Sequence, residues 1–274
     1  MLEKILEKIE SLPPLPQTIE EIEAFRKKQN KEVDELVKII EKDALVITTL
    51  LKVSNSSLFG FRSKVESVGR VVSLLGINFT VYVTISETIN NMLATDLSPY
   101  GIKSEDFMKA STASSNLVNL WLGKINNELK DEVLLASILQ ETGKFILSEL
   151  IIGRNLSEQF VKLLEDGMET KDAENQLLNI TTSQVTAEIF KYWQLSSELI
   201  NMIRFVDDID SCPAEYKQKA QILDVIKTAC DVRNPLSEEN SAKAIKKATA
   251  YGFDVNLLKS SISTLQDRLL NEEA

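Results

Sequence analysis

Apolar positions recur along this chain with helical spacing from its first residues. Leu2, Ile5, Leu6 and Ile9 fall at i, i+3, i+4 and i+7 with glutamates and lysines between them, the signature of an amphipathic helix. Pro13-Pro14-Leu15-Pro16 then imposes extended backbone. Thr18 with Glu21 predicts a capping box for a helix carrying Ile19, Ile22 and Phe25. Val33, Leu36, Val37 and Ile40 predict another helix, and Asp43 predicts the N-cap of a segment rich in Leu45, Ile47, Leu50, Leu51 and Val53. Residues 54–64 read as a turn. Ser67 predicts the cap of a helix through Val68, Val71, Val72, Leu74 and Leu75, closed by Gly76.

The next stretch is ambiguous by period. Ile77, Phe79, Val81, Val83 and Ile85 alternate as a strand would, yet Phe79, Val83 and Ser86 also share a helical face. No neighbouring segment offers a strand partner, so a helix is predicted there. Residues 94–104, with Asp96, Pro99 and Gly101, read as a connector between two helical lobes. Helical patterns continue over 105–123, 128–151, 155–167, 170–178, 181–193, 196–206, 213–231, 237–251 and 255–271. The chain is therefore expected to be all-α.

Composition agrees and narrows the chemistry. Among 274 residues there are 9 glycines and 6 prolines, too few for a turn-rich β fold. There is no histidine. That removes the commonest general base and metal ligand, so Ser-His-Asp and Cys-His catalysis within this chain is excluded. The net charge of −10 repels a phosphate backbone, so no nucleic-acid partner is expected. No apolar run reaches the roughly 18 residues of a membrane span, and Met1 leads directly into charged residues rather than a secretory leader. Cys212 and Cys230 read as buried thiols of a cytoplasmic protein.

Local chemical motifs are weak. Glu141-Thr142-Gly143-Lys144 has the Gly-Lys of a phosphate loop without its upstream glycine or its following hydroxyl. Asp207, Asp208 and Asp210 cluster without the glycine and terminal glutamate of a calcium loop, and read as a solvated helix end. Ser111, Thr112, Ser114 and Ser115 lack a nucleophile elbow and read as small residues at a helix contact. The adjacent acids Glu20/Glu21 and Glu238/Glu239 diverge on a helix. Lys243, Lys246 and Lys247 read as a solvated stripe, and Trp121 and Trp193 as core residues. Val255, Leu257, Leu258, Ile262, Leu265, Leu269 and Leu270 form an apolar stripe that packs within the chain or serves a partner or second copy.

An ordered set of segments resembles one family. Leu12-Pro13-Pro14-Leu15-Pro16, Asp43-Ala44-Leu45 leading to Leu50–Ser56, Val68–Gly76, Leu139–Lys144 and Leu195–Phe205 together resemble the HDOD domain, a signal-output relative of the HD phosphohydrolases. The resemblance covers about residues 10–210. It implies an HD-domain-like helical bundle with an N-terminal helical lobe, divided as lobe 1–100, bundle 101–210 and a C-terminal helical extension 211–274. It also implies helix rather than strand at 77–85. HD phosphohydrolases hold divalent metal with histidines and aspartates; the resemblance places Ala110, Gln140, Glu141, Thr182, Val206 and Asp207 at those positions. By this comparison the metal site is erased, no cofactor is implied, and Gly143 is retained for close helix packing. The expected role is non-enzymatic, cytoplasmic signal transduction through a protein partner. Asn55, Phe59 and Phe61 in the 55–61 turn are the candidate contact residues, with plugging of a lobe interface as their other use. The alternatives are a carboxylate-based or metal-dependent phosphohydrolase, and a sensor of small nucleotides in the same cleft.

Overall fold

The computed structural model describes residues 2–55, 61 and 63–272. Among these the secondary structure is helical throughout, with no strand. The chain divides into two compact units, residues 13–94 and residues 1–12 with 95–274. The boundary at 94/95 falls in the expected connector. Two features differ from the 1–100, 101–210 and 211–274 division. The first helix joins the second unit, and 211–274 belongs to the same unit as the bundle.

The smaller unit holds α2 (Gln17–Arg26), α3 (Val33–Ile40), α4 (Ala44–Ser54), α5 (Val68–Leu75) and α6 (Ile77–Met92). Asp43 caps α4 by accepting from the amides of Leu45 and Val46, and Ser67 caps α5 through the Arg70 amide. The expected Thr18–Glu21 box is not formed. Pro16 occupies the N-cap, its carbonyl accepts from the Ile19 amide at 2.8 Å, and Thr18 is buried inside the first turn. Proline's fixed φ starts the helix two residues earlier than the hydroxyl signal suggests.

The alternating stretch 77–85 is helical. Gly76, at φ 79°, ends α5, and α6 leaves it at 119°. From Thr80 to Ile89 every residue of α6 is buried, so no solvent face exists to impose a 3.6-residue rhythm on the sequence. Thr80 and Thr84 donate their hydroxyls to the carbonyls of Gly76 and Thr80, which meets their hydrogen-bonding needs inside the helix.

Glu87 shares this burial. Desolvation raises its carboxyl to about 7, against the opposing pull of Asn90 and of the Lys52 ammonium. A carboxyl whose folded pKa lies above its unfolded value favours the fold when protonated. Stability from this site is therefore full below about pH 4.5 and lost as pH rises to 7. Glu87→Gln is expected to raise unfolding free energy by about 2–3 kcal/mol at pH 8 and hardly at all at pH 4.5, read by urea denaturation at both values.

In the larger unit α1 (Leu2–Glu10) packs on α9 (Gly143–Gly153) and α12 (Thr182–Tyr192). The Tyr192 hydroxyl donates to the carbonyls of Glu10 and Leu12, and Lys8 pairs with Glu149. The bundle also contains α7 (Ser104–Leu122), α8 (Asn127–Leu139), α10 (Ser157–Glu165), α11 (Thr170–Leu178), α13 (Ser197–Arg204), α14 (Ala214–Ala229), α15 (Glu238–Ala250) and α16 (Val255–Glu272). The continuous pattern over 128–151 is two helices, interrupted at Gln140–Thr142.

The C-terminal stripe packs within the chain: Leu258, Ile262 and Leu265 are buried, and α16 lies against α7 and α15. The side chains of Leu269 and Leu270 lie outside the described residues. Trp121 and Trp193 are buried as expected, Trp121 meeting Phe253 edge to face at 5.6 Å. Both cysteines are buried and free. Among the described residues no single helix is long and apolar enough to cross a membrane.

Candidate functional site

A buried acid on α11 sets the geometry. Asn179 adopts the left-handed conformation and ends α11 sharply. The chain then turns into the Thr181–Gln184 capping box of α12, which aims the first amides of that helix back at α11. Glu174, 1% exposed, receives them: the Thr182 amide donates to Oε2 at 2.7 Å, and the Thr182 hydroxyl donates to Oε1. The Tyr100 hydroxyl, also buried, donates to Oε1 at 2.9 Å. Burial pushes the Glu174 carboxyl up, and the ammoniums of Lys144 and Lys227 pull it back only in part. The same burial, with the Glu174 carboxylate beside it, holds the Tyr100 phenol well above its usual range.

Two lysines enter this acidic cluster. Lys144, in the first turn of α9, is 3% exposed; its ammonium pairs with Glu141, lies 4.0 Å from Glu174 Oε1 and sits 5.0 Å above the Tyr100 ring. Lys227 reaches in from α14. Its Nζ donates to Asp207 Oδ1 at 2.9 Å and to Ser183 Oγ at 3.0 Å, and stands 3.5 Å from Glu141 Oε1. Asp207 lies just beyond α13. Burial alone would raise its carboxyl, but the adjacent Lys227 ammonium outweighs burial and holds it far below the usual carboxylate range. Lys227 is correspondingly raised, since burial is outweighed by Asp207, Glu141 and Glu174.

The backbone around Gly143 makes this convergence possible. A Cβ built on Gly143 would lie 2.3 Å from the Thr182 carbonyl oxygen and 3.0 Å from the Thr186 amide. Only glycine lets α9 approach α12 this closely. The Gly143 amide donates to Thr186 Oγ1 at 2.8 Å, and that hydroxyl lies 3.2 Å from the Gln140 carbonyl and 2.9 Å from the Thr182 carbonyl.

The positions assigned from the resemblance separate into three kinds. Glu141, Thr182 and Asp207 belong to the ion network. Gln140 is 1% exposed and presents a neutral amide, donating to the Ser137 carbonyl at 3.4 Å. Ala110 and Val206 are buried and supply no donor atom. Asp207 is not part of a solvated helix end; its side chain is buried against Lys227, whereas Asp208 and Asp210 are exposed. The lysine stripe is likewise only partly solvated: Lys247 is half-buried and pairs with Asp224 at 2.6 Å. Glu174, Tyr100 and Lys227 were not legible as site residues, because no local motif distinguishes them from surface acid, core aromatic and surface base.

A divalent metal does not fit this donor set. The available carboxylates face ammonium groups, imidazole is absent, and among the described residues no group of three His, Cys, Asp or Glu side chains is arranged around a common point. Beside the network a polar cleft of about 340 Å³ runs between the start of α11 and helices α14 and α15, with Asp207 and Lys227 among its walls.

The 55–61 segment has a different chemistry. The Asn55 side chain is a loop clamp. Its Nδ2 donates to the carbonyls of Leu51 and Val65, and its Oδ1 accepts from the Val65 amide at 2.8 Å. Its amide is thus committed to holding the two ends of the loop together. Phe61 is half-buried, and Phe59 lies outside the described residues.

An all-helical bundle whose central acidic cleft is closed by lysine ammoniums defines the class of protein. Comparison with known proteins then supplies the family: the HDOD domain model matches residues 12–209, and the chain belongs to that family. An uncharacterized protein of Treponema pallidum (strain Nichols) is 24% identical over 217 residues, covering 78% of this chain; the match spans only 41% of that protein's length. Among solved structures, an HDOD domain protein of unknown function from Geobacter sulfurreducens superposes with TM-score 0.68 and 15% identity, covering 99% of this chain and 97% of that one. A protein of Marinobacter aquaeolei VT8, whose name assigns it provisionally to signal transduction, gives TM-score 0.74 and 21% identity, covering 97% of this chain and 58% of that one. These two likenesses establish the fold. The HD-like all-α architecture is therefore as expected.

Proposed function

We propose that this HDOD protein is a non-enzymatic regulator in bacterial signal transduction, working in the cytoplasm by binding a protein partner. The observation that carries the reading is the state of the central cleft. Glu141 and Asp207, the acids a hydrolase could use to bind metal or activate water, are each bonded to a lysine ammonium. A carboxylate held far below its usual pKa by an ammonium is a poor general base, because it has little tendency to take a proton near pH 7. What the fold then offers is surface. The 55–61 segment, which begins at Asn55, itself bonded to Val65, and carries Phe59 and Phe61 in its sequence, is the segment we assign to the partner.

Two measurements test this. Purified protein supplied with Mg²⁺, Mn²⁺ or Co²⁺ is expected to leave bis-p-nitrophenyl phosphate and cyclic dinucleotides uncleaved; metal-dependent turnover that disappears in Asp207→Asn would overturn the reading. A partner captured from the native host by the tagged protein is expected to be lost when Phe59 and Phe61 are both replaced by alanine. Undiminished capture by that variant, with an unchanged circular dichroism spectrum, removes the turn from the proposal.

A further inference from the structure

The first helix is seated on a part of the chain far from its own place in the sequence. α1 packs on α9 and α12, and the whole of residues 13–94, a compact unit of its own, intervenes between α1 and the unit that α1 completes. Ile5 is 0% and Ile9 2% exposed, so both side chains are enclosed where α1 is seated. Polar contacts fix its register. Lys8 pairs with Glu149 of α9. The hydroxyl of Tyr192, at the end of α12, lies 3.1 Å from the Glu10 carbonyl oxygen and 3.2 Å from that of Leu12. The seat is therefore matched to one kind of ligand, an amphipathic helix with aliphatic side chains at i and i+4 and a lysine at i+3.

A helix of 9 residues does not hold its shape alone in water. α1 is helical because it is seated, and an empty seat leaves apolar surface of α9 and α12 in water. Residues 11–16, Ser-Leu-Pro-Pro-Leu-Pro, tether α1 to the rest of the chain, and half of them are proline. Proline's fixed φ keeps such a tether extended, and proline has no amide with which to tie it down. An extended tether narrows the ways in which α1 folds back on its own chain, and leaves its reach toward another chain undiminished. Docking on the identical seat of another copy keeps every contact named above, so exchange is opposed chiefly by the loss of freedom on association.

We propose that the face formed by α9 and α12 is a dimerisation seat, filled by α1 of a second copy of this chain, each copy lending its first helix to the other. The two exchanges are equivalent by twofold symmetry, so the assembly closes at two chains. The same seat filled from the same chain is the closed monomer. The proposal is independent of the non-enzymatic reading, and its surface is separate from the 55–61 segment.

The test uses the natural full chain. Equal amounts of unlabelled and ¹⁵N-labelled protein are refolded together, concentrated and treated with a carbodiimide, which joins a lysine to a carboxylate that it touches, here Lys8 to Glu149. Peptides carrying this link are then weighed by mass spectrometry. Exchange is expected to place one light and one heavy partner in up to half of them, a share that falls when the protein is diluted before refolding. Light scattering is expected to show the mass rising on concentration from that of one chain toward that of two. Links that join only like isotopes at every concentration overturn the proposal, because α1 then stays on its own chain and any dimer forms elsewhere. Absence of the Lys8–Glu149 link also defeats it, since α1 is then not seated as described. Pro13→Ala/Pro14→Ala, which loosens the tether, is expected to lower the mixed share at least threefold; an equal share overturns the tether argument on which the proposal stands.

Discussion

Lys144→Met is expected to cost the folded protein about 3–5 kcal/mol at pH 8, one of the two largest effects of a single substitution in this bundle. Methionine retains the unbranched apolar stem and removes only the ammonium. Three interactions end together: the ion pair with Glu141, the approach to Glu174 and the cation lying over the Tyr100 ring. Glu174 is the vulnerable partner, because it is 1% exposed and already disfavours its charged form. Without Lys144 its folded pKa rises further above the unfolded value. The penalty is therefore largest at high pH, and shrinks as pH falls toward the unfolded carboxyl range and both states become protonated. Urea unfolding at pH 8 and pH 5 distinguishes this from lost packing, which would give equal losses. Adding Glu174→Gln to the variant is expected to restore a substantial part of the loss at pH 8, since it removes the charge left behind. A pH-independent loss, unaffected by the second substitution, would show that Lys144 acts through its stem.

Gly143→Ala is expected to cost about 3 kcal/mol or more, the other large effect. The added methyl would lie 2.3 Å from the Thr182 carbonyl oxygen, a backbone atom that cannot rotate away. Relief requires α9 and α12 to separate. That movement stretches the bond from the Gly143 amide to Thr186 Oγ1 and carries Thr182 away from Glu174. The variant is thus expected to lose thermal stability and to expose the ion network. Faster amide exchange at Gly143 and Thr182 than in the natural protein is the accompanying observation. Unchanged Tm and exchange would mean that the two helices have slack at this contact. By contrast, alanine at Gly69, where a Cβ meets nothing within 4 Å, is expected to be nearly neutral and serves as the control.

The two substitutions bear on the same arrangement from opposite sides. Gly143 brings the backbones of α9 and α12 together, and the next residue, Lys144, neutralises the acids that this proximity confines. The Gly-Lys pair looks like a fragment of a phosphate loop, but here it is a packing residue followed by a buried counter-ion. The polar character of the cleft is consequently internal. Its two ammoniums face three acids, and Glu174 is the one whose charged form burial disfavours.

Much of the fold was legible in the order of residues. Asp43 and Ser67 are caps because a short acceptor at the start of an apolar run satisfies amides that the helix leaves open. Gly76 is a helix stop because φ 79° there costs glycine nothing. The all-α class and the absence of imidazole follow from composition and period alone. So does the exclusion of His-based catalysis, since chemistry requires the residue to exist. Local reading failed where burial or chain constraint overrode the local signal. Thr18 lost its capping role to the proline before it, the rhythm of α6 was erased by burial on every face, and the 128–151 pattern hid a break.

The sequence by itself determined which side chains were available: no histidine, a glycine beside a lysine, and acids at 141, 174 and 207. Only the tertiary structure decided which of them meet. Glu174 and Tyr100 are 74 residues apart, and Lys227 stands 20 residues from Asp207 on another helix. Their pairing depends on how α9, α11, α12 and α14 close around one point, and no local period encodes that closure. An acid or lysine on a helix reads the same in sequence whether it faces water or the core. Its pKa, its partners and its role are fixed by the desolvation and the charges that packing brings to it.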